Sequence, residues 1–162
     1  MSSSAQILRN NKTELTEYER INEFLKIITP IGYDTDIESD NAIYIKPKDN
    51  NEKGVRIWVE QEDYPIYLIN GKEYYREVFF EFVWDDESVN SDMILVITAE
   101  YMKKFTDALF QYEGRRDDSM FMDKTDIDTL ISQPFQPSWF YLHKSHLNSS
   151  RVNVYDREWI LE

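Results

Sequence analysis

The chain has 162 residues, 41% hydrophobic and 15% aromatic, and its 31 acidic side chains outnumber 18 basic ones to give a net charge of −13. This length and composition indicate one core-forming domain that buries roughly two-thirds of its unfolded surface, and they argue against a disordered chain. The absence of cysteine excludes disulfides, thiolate metal sites and cysteine nucleophiles, and the charge disfavours nucleic acid and anionic membrane as direct partners.

Residues 1–12 are polar apart from Ile7 and Leu8, and read as a flexible N-terminal tail ahead of a single globular domain over 13–162. They lack the apolar segment of a signal peptide, and no run has the length of a membrane span, so a cytoplasmic location is expected. Thr16 and Glu19 have capping-box spacing, with Thr13 as an earlier candidate cap. Leu15, Tyr18, Ile21, Leu25 and Ile28 then recur at helical steps, with Phe24 widening the stripe, until Pro30 and Gly32 close the helix.

Tyr33 to Ile37 and Ala42 to Lys46, on either side of a turn-prone tetrapeptide, predict a hairpin. Val55 to Glu60 alternates as a third strand, and Gln61 to Pro65 turns the chain. The organising stretch is Tyr64 to Trp84, where Asn70-Gly71 predicts a two-residue turn between strands Ile66 to Ile69 and Glu73 to Trp84. Short connections alone would join these strands into a meander.

Residues Asp85 to Asp92 read as an acidic loop too polar to bury. Met93 to Ile97 follows as a strand or an extended lead-in to a second helix, capped at Thr98 and striped by Met102, Phe105, Leu109 and Tyr112 up to Gly114. A short helix is predicted around Asp126 to Ile131, and strands at Trp139 to Leu142 and Val152 to Tyr155. The fold expected is therefore α+β: an antiparallel meander sheet of about five or more strands packed against two main helices.

Catalytic signatures are missing at several independent points. The serines lack a glycine-flanked elbow, the four glycines form no phosphate-cradling loop, and pairing among 31 acids carries no information. His143 and His146 read as surface loop histidines rather than metal ligands, and Asp123, Asp126 and Asp128 lack the glycine and glutamate of a calcium loop. No catalytic residue, metal or cofactor is assigned.

The acidic excess is uneven: residues 61–128 carry 17 acidic and 7 basic side chains. Within that span Glu62, Asp63 and Tyr64 precede the central hairpin, and Trp84, Asp85, Asp86 and Glu87 follow it. These seven are the candidate partner-binding residues, because aromatic anchors ringed by carboxylates suit a grip on a basic surface. The plainer reading is that Tyr74, Tyr75 and Trp58 merely cover the second face of the sheet.

The order of pieces also resembles a family. A helix ending in Ile31-Gly32-Tyr33, the strand Val55-Arg56-Ile57-Trp58-Val59, the aromatic hairpin, and Tyr101 to Gly114 leading into Arg115-Arg116 are similar to the TriTu-type immunity proteins of bacterial polymorphic-toxin, or contact-dependent inhibition, systems. The resemblance runs from Leu15 to Arg116 and implies a non-catalytic α+β protein that neutralises a cognate toxin domain, basic and often a nuclease, inside the producing cell. It transfers no binding residues and leaves the oligomeric state open. The competing expectations are a nucleic-acid mimic that inhibits a DNA-binding defence enzyme, and a hydrolase whose site would show as a pocket of convergent carboxylates with raised pKa.

Overall fold

The computed structural model describes residues 2–48, 54–61, 63–83, 87–113 and 121–147. They form strands β1 (Ser2–Arg9), β2 (Asp34–Ile37), β3 (Ala42–Lys46), β4 (Val55–Trp58), β5 (Tyr67–Ile69), β6 (Lys72–Val83), β7 (Leu109–Tyr112) and β8 (Phe121–Met122). Helices α1 (Glu17–Ile28), α2 (Glu87–Lys104), α3 (Lys124–Ile131) and α4 (Trp139–Leu142) complete an α+β domain. No helix among the described residues is long and apolar enough to cross a membrane.

The antiparallel sheet runs β2-β3-β4-β6-β1-β7-β8, with β5 paired to β6 beside that path. Asn70 and Gly71 both have positive φ, 52° and 78°, and join β5 to β6 through the predicted two-residue turn. The simple meander is altered at this point. β6 spans 12 residues, so Lys72–Tyr74 pair with β5 while Phe79–Phe82 pair with β4, and β4 sits directly beside β6.

The N-terminal segment is a strand rather than a tail. β1 lies between β6 and β7 in the middle of the sheet, and Ala5, Ile7 and Leu8 have no exposed surface. Serines and a glutamine on alternate positions disguised a strand that the sheet completes from both sides.

Thr16 and Glu19 form the expected capping box, with reciprocal bonds of 3.2 and 3.0 Å, and Gly32 makes the left-handed exit at φ 95°. The buried stripe of α1 is Ile21, Phe24 and Ile28, whereas Tyr18 is 75% exposed.

Two further expectations are corrected. Residues from Glu87 onward are helical rather than an acidic loop, and Asn90 and Ser91 are fully buried. Met93 to Ile97 belongs to that same helix, so Thr98 is not its cap but an interior residue without exposed surface. A short apolar run has no period that separates strand from buried helix, and α2 is buried on nearly every side. The helix stops at Lys104, so Leu109 and Tyr112 belong to β7, whose four residues are all buried.

Trp139–Leu142 is a helical turn rather than a strand. Phe140 stacks on Tyr112 at 4.6 Å, and Trp139 donates Nε1–H to the Ser91 carbonyl at 3.1 Å. The expected strand at Val152 to Tyr155 lies outside the described residues.

All four helices pack on one face of the sheet, over Ile7, Ile43, Ile57, Phe80 and Phe110. A smaller core of Leu8, Tyr67, Ile69, Tyr74, Leu109 and Phe121 covers one end of the opposite face. Among the described residues, no helix covers the rest of that face.

Candidate functional sites

Of the residues chosen from sequence, Glu62, Trp84, Asp85 and Asp86 lie outside the described residues. Asp63 and Tyr64 are exposed, Tyr64 by 54%, and Lys12 reaches the Asp63 carbonyl at 3.4 Å. Glu87 is the first residue of α2. The neighbouring Gln61 bonds Glu77, which is six residues, roughly 20 Å, along β6 from the strand's end at Val83.

The sheet face opposite the described helices has two adjoining rows set by strand register. One runs Asp36, Tyr44, Arg56, Glu81, Ser4, and the next Ala42, Trp58, Phe79, Gln6, Gln111. Arg56 bridges Glu38 at 2.7 Å and Glu81 at 3.3 Å, and those bonds hold both its pKa above and that of Glu38 below the ordinary value. Tyr44 lies across Gly54, where a Cβ would stand 2.6 Å from its ring.

Trp58 and Phe79 are direct cross-strand partners and half-buried, with the Arg76 guanidinium 5.0 Å from the Phe79 ring centre. With Glu60 they line a shallow depression of about 240 Å³. Tyr74 does cover the second core, but Trp58 and Phe79 remain accessible. Their alternation with charged neighbours was visible in sequence; their pairing was not, because it depends on β5 standing aside.

A second feature lies under α1. Ile7 faces Val78 while Leu8 faces Arg76, so Glu77 is the extra residue of a β-bulge, and both Glu77 and Val78 face the helices. Glu77 is 4% exposed in a cavity of about 60 Å³ with apolar walls that include Leu15, Phe24, Ile27 and Phe105. Burial pushes its pKa up to about 7 against the pull of Arg9, Arg20 and a 2.7 Å hydrogen bond from Gln61. The Arg20 Nε is buried with no partner among the described residues. Sequence reasoning missed this site, since a bulge leaves no mark in the order Arg76-Glu77-Val78.

The two histidines meet the acids of α3. Asp123 caps that helix in a reciprocal box with Asp126, and Asp126 is 2% exposed. The Asp126 Oδ1 accepts from the His146 backbone at 2.8 Å and lies 3.0 Å from His143 Nε2; its Oδ2 accepts from Ser145 Oγ at 2.7 Å and Asp123 N at 3.1 Å. His146 Nε2 lies 2.6 Å from Asp123 Oδ2.

Asp123, Asp126 and His146 have ligand atoms within 4.8 Å of one another, as a metal site requires. The Asp126 carboxylate already has four hydrogen-bond partners, the full complement of its lone pairs. The arrangement works as a clasp that fastens residues 143–147 to α3 and seats Leu147 on the second core. Burial pushes the Asp126 carboxyl up, but the bonds from His143, Ser145 and the two backbone groups outweigh it and hold it below the usual range. The Asp123 bond holds His146 above its ordinary value.

Comparisons with protein-family models, with curated proteins and with solved structures find no match for this chain.

Proposed function

We propose that this protein is a non-catalytic acidic binder, an immunity-type inhibitor that docks on a basic toxin domain and excludes its substrate. The observation that carries this reading is the half-buried Trp58–Phe79 pair, on the sheet face opposite the described helices, in a chain of net charge −13. Paired rings on a rigid sheet supply hot-spot area, while the acidic field accelerates encounter with a basic partner. An interface of ordinary size would bury about 1,600 Å² in total.

Two features favour this reading over its competitors. Along the described sheet face, Arg56 and Arg76 interrupt the acids, whereas a nucleic-acid mimic needs an unbroken acidic row. Among the described residues the Glu77 cavity holds a single buried carboxyl, since Glu23 at its wall is engaged by Lys104, and it therefore lacks the converging pair that carboxylate-catalysed glycoside hydrolysis uses. Co-expression with the product of the neighbouring reading frame tests the proposal. Restored growth is expected; toxicity that persists while the two proteins are both present would overturn it.

A further inference from the structure

The cavity beneath α1 is built as a site. A bulge in an otherwise regular strand turns a carboxylic acid inward, although the uninterrupted alternation would send it to the outer face. The burial of that acid is costly, and such cost is kept where a group has a task. Arg20 also lines the cavity; its Nη1 donates to the Leu15 carbonyl at 2.7 Å, and its Nε has no partner among the described residues.

Other charges around the cavity are neutralised locally. Arg9 on β1 pairs with Asp107 at 3.0 Å, and Glu23 on α1 pairs with Lys104 and Lys26. Tyr101 on α2 adds a hydroxyl that burial keeps protonated. What remains is the Arg20 guanidinium, a multiple donor, and one carboxyl able to donate when protonated. A carboxylate head satisfies both, accepting from Arg20 on one oxygen and from Glu77 on the other.

Size restricts the ligand further. A cavity of about 150 Å³ holds a benzene molecule, so about 60 Å³ has room for roughly three heavy atoms, a carboxylate group and little more. Thr13 and Leu15 carry the lining outward to the surface, where an aliphatic tail would lie against Leu15 and Ile27. Sugars, nucleotides and aromatic acids are too large to fit within this volume.

We propose that this cavity binds a small aliphatic monocarboxylate, its head held between the Arg20 guanidinium and the Glu77 carboxyl and its tail directed toward Leu15. The site is separate from the sheet face and does not depend on the binding role given to it. Uptake of the anion requires a proton on Glu77, so apparent affinity follows the protonated fraction of that group.

The test uses the intact protein with butyrate and its neutral isostere butyramide, followed by methyl shifts of Ile27, Val59 and Val78. With Glu77 titrating at about 7, the protonated fraction falls about tenfold between about pH 6 and about pH 8, and butyrate affinity should fall with it. Glu77→Gln retains an N–H donor and should bind butyrate with no pH dependence; Arg20→Met should lose binding at both pH values. Butyramide should bind more weakly than butyrate at the lower pH. No saturable shift with butyrate, equal binding of the amide, or a wild-type affinity independent of pH overturns the proposal and leaves water as the occupant.

Discussion

Replacing Asp126 by asparagine tests the clasp at its centre. The carboxylate accepts bonds from His143, Ser145 and two backbone N–H groups while 2% exposed. Asparagine keeps one acceptor oxygen but turns an N–H₂ toward Ser145 and Asp123. The serine hydroxyl can rotate to accept; the Asp123 amide cannot, and a buried donor left facing a donor costs about 1–3 kcal/mol. Loss of charge weakens the remaining bonds, for a total of about 3 kcal/mol, which lowers Tm by roughly 6–12 °C in a domain of this size.

The pH dependence follows from the same geometry. Asp126 has a folded pKa below its unfolded value, so its contribution is present above about pH 4 and is lost as pH falls through the folded value. His146 has the opposite sign: its raised folded pKa contributes below about pH 6.5 and is lost as pH rises beyond it, with a small magnitude because the ring is half exposed. Urea unfolding of wild type and Asp126→Asn should therefore differ most between these limits and converge in acid. A difference below about 0.5 kcal/mol at neutral pH would refute the clasp.

Two other predictions concern the sheet. Glu77 has a folded pKa raised to about 7, so wild-type stability should fall as pH rises from about 4.5 to about 7, and Glu77→Gln should abolish that fall and be the more stable protein at about pH 8, by roughly 1–3 kcal/mol; denaturant titrations with identical pH profiles for the two proteins would contradict it. Deleting residues 1–9 removes β1 and with it the fully buried Ala5, Ile7 and Leu8 that join β6 to β7, so the truncated chain should lose its near-ultraviolet dichroism and cooperative melting. A truncated protein that melts within a few degrees of wild type would show that the strand is dispensable.

The elements legible in sequence are those whose signals are local. The Thr16–Glu19 box, the Gly32 exit, the Asn70-Gly71 turn and the helix at Asp126 each rest on residues within one turn of each other, and each stands where expected. The failures share the opposite property. β1 is a strand only because β6 and β7 flank it, α2 was hidden because burial on most sides erases periodicity, and Leu109 and Tyr112 had helical spacing by coincidence while belonging to a strand. The accessible Trp58–Phe79 pair and the inward turn of Glu77 depend on long-range register, which chain order does not encode locally. Asp123 and His146 were both noticed, but their meeting across 23 positions was not readable.

The central claim, that the sheet face opposite the described helices grips a basic partner, is tested most directly by calorimetric titration with a candidate basic toxin domain taken from the adjacent reading frame. Wild-type protein and the Trp58→Ala, Phe79→Ala double variant are compared at low and high salt. Two hot-spot rings lost should weaken binding by at least roughly 100-fold, with salt weakening both proteins alike. Equal affinities for wild type and double variant, with the variant still folded, would contradict the account.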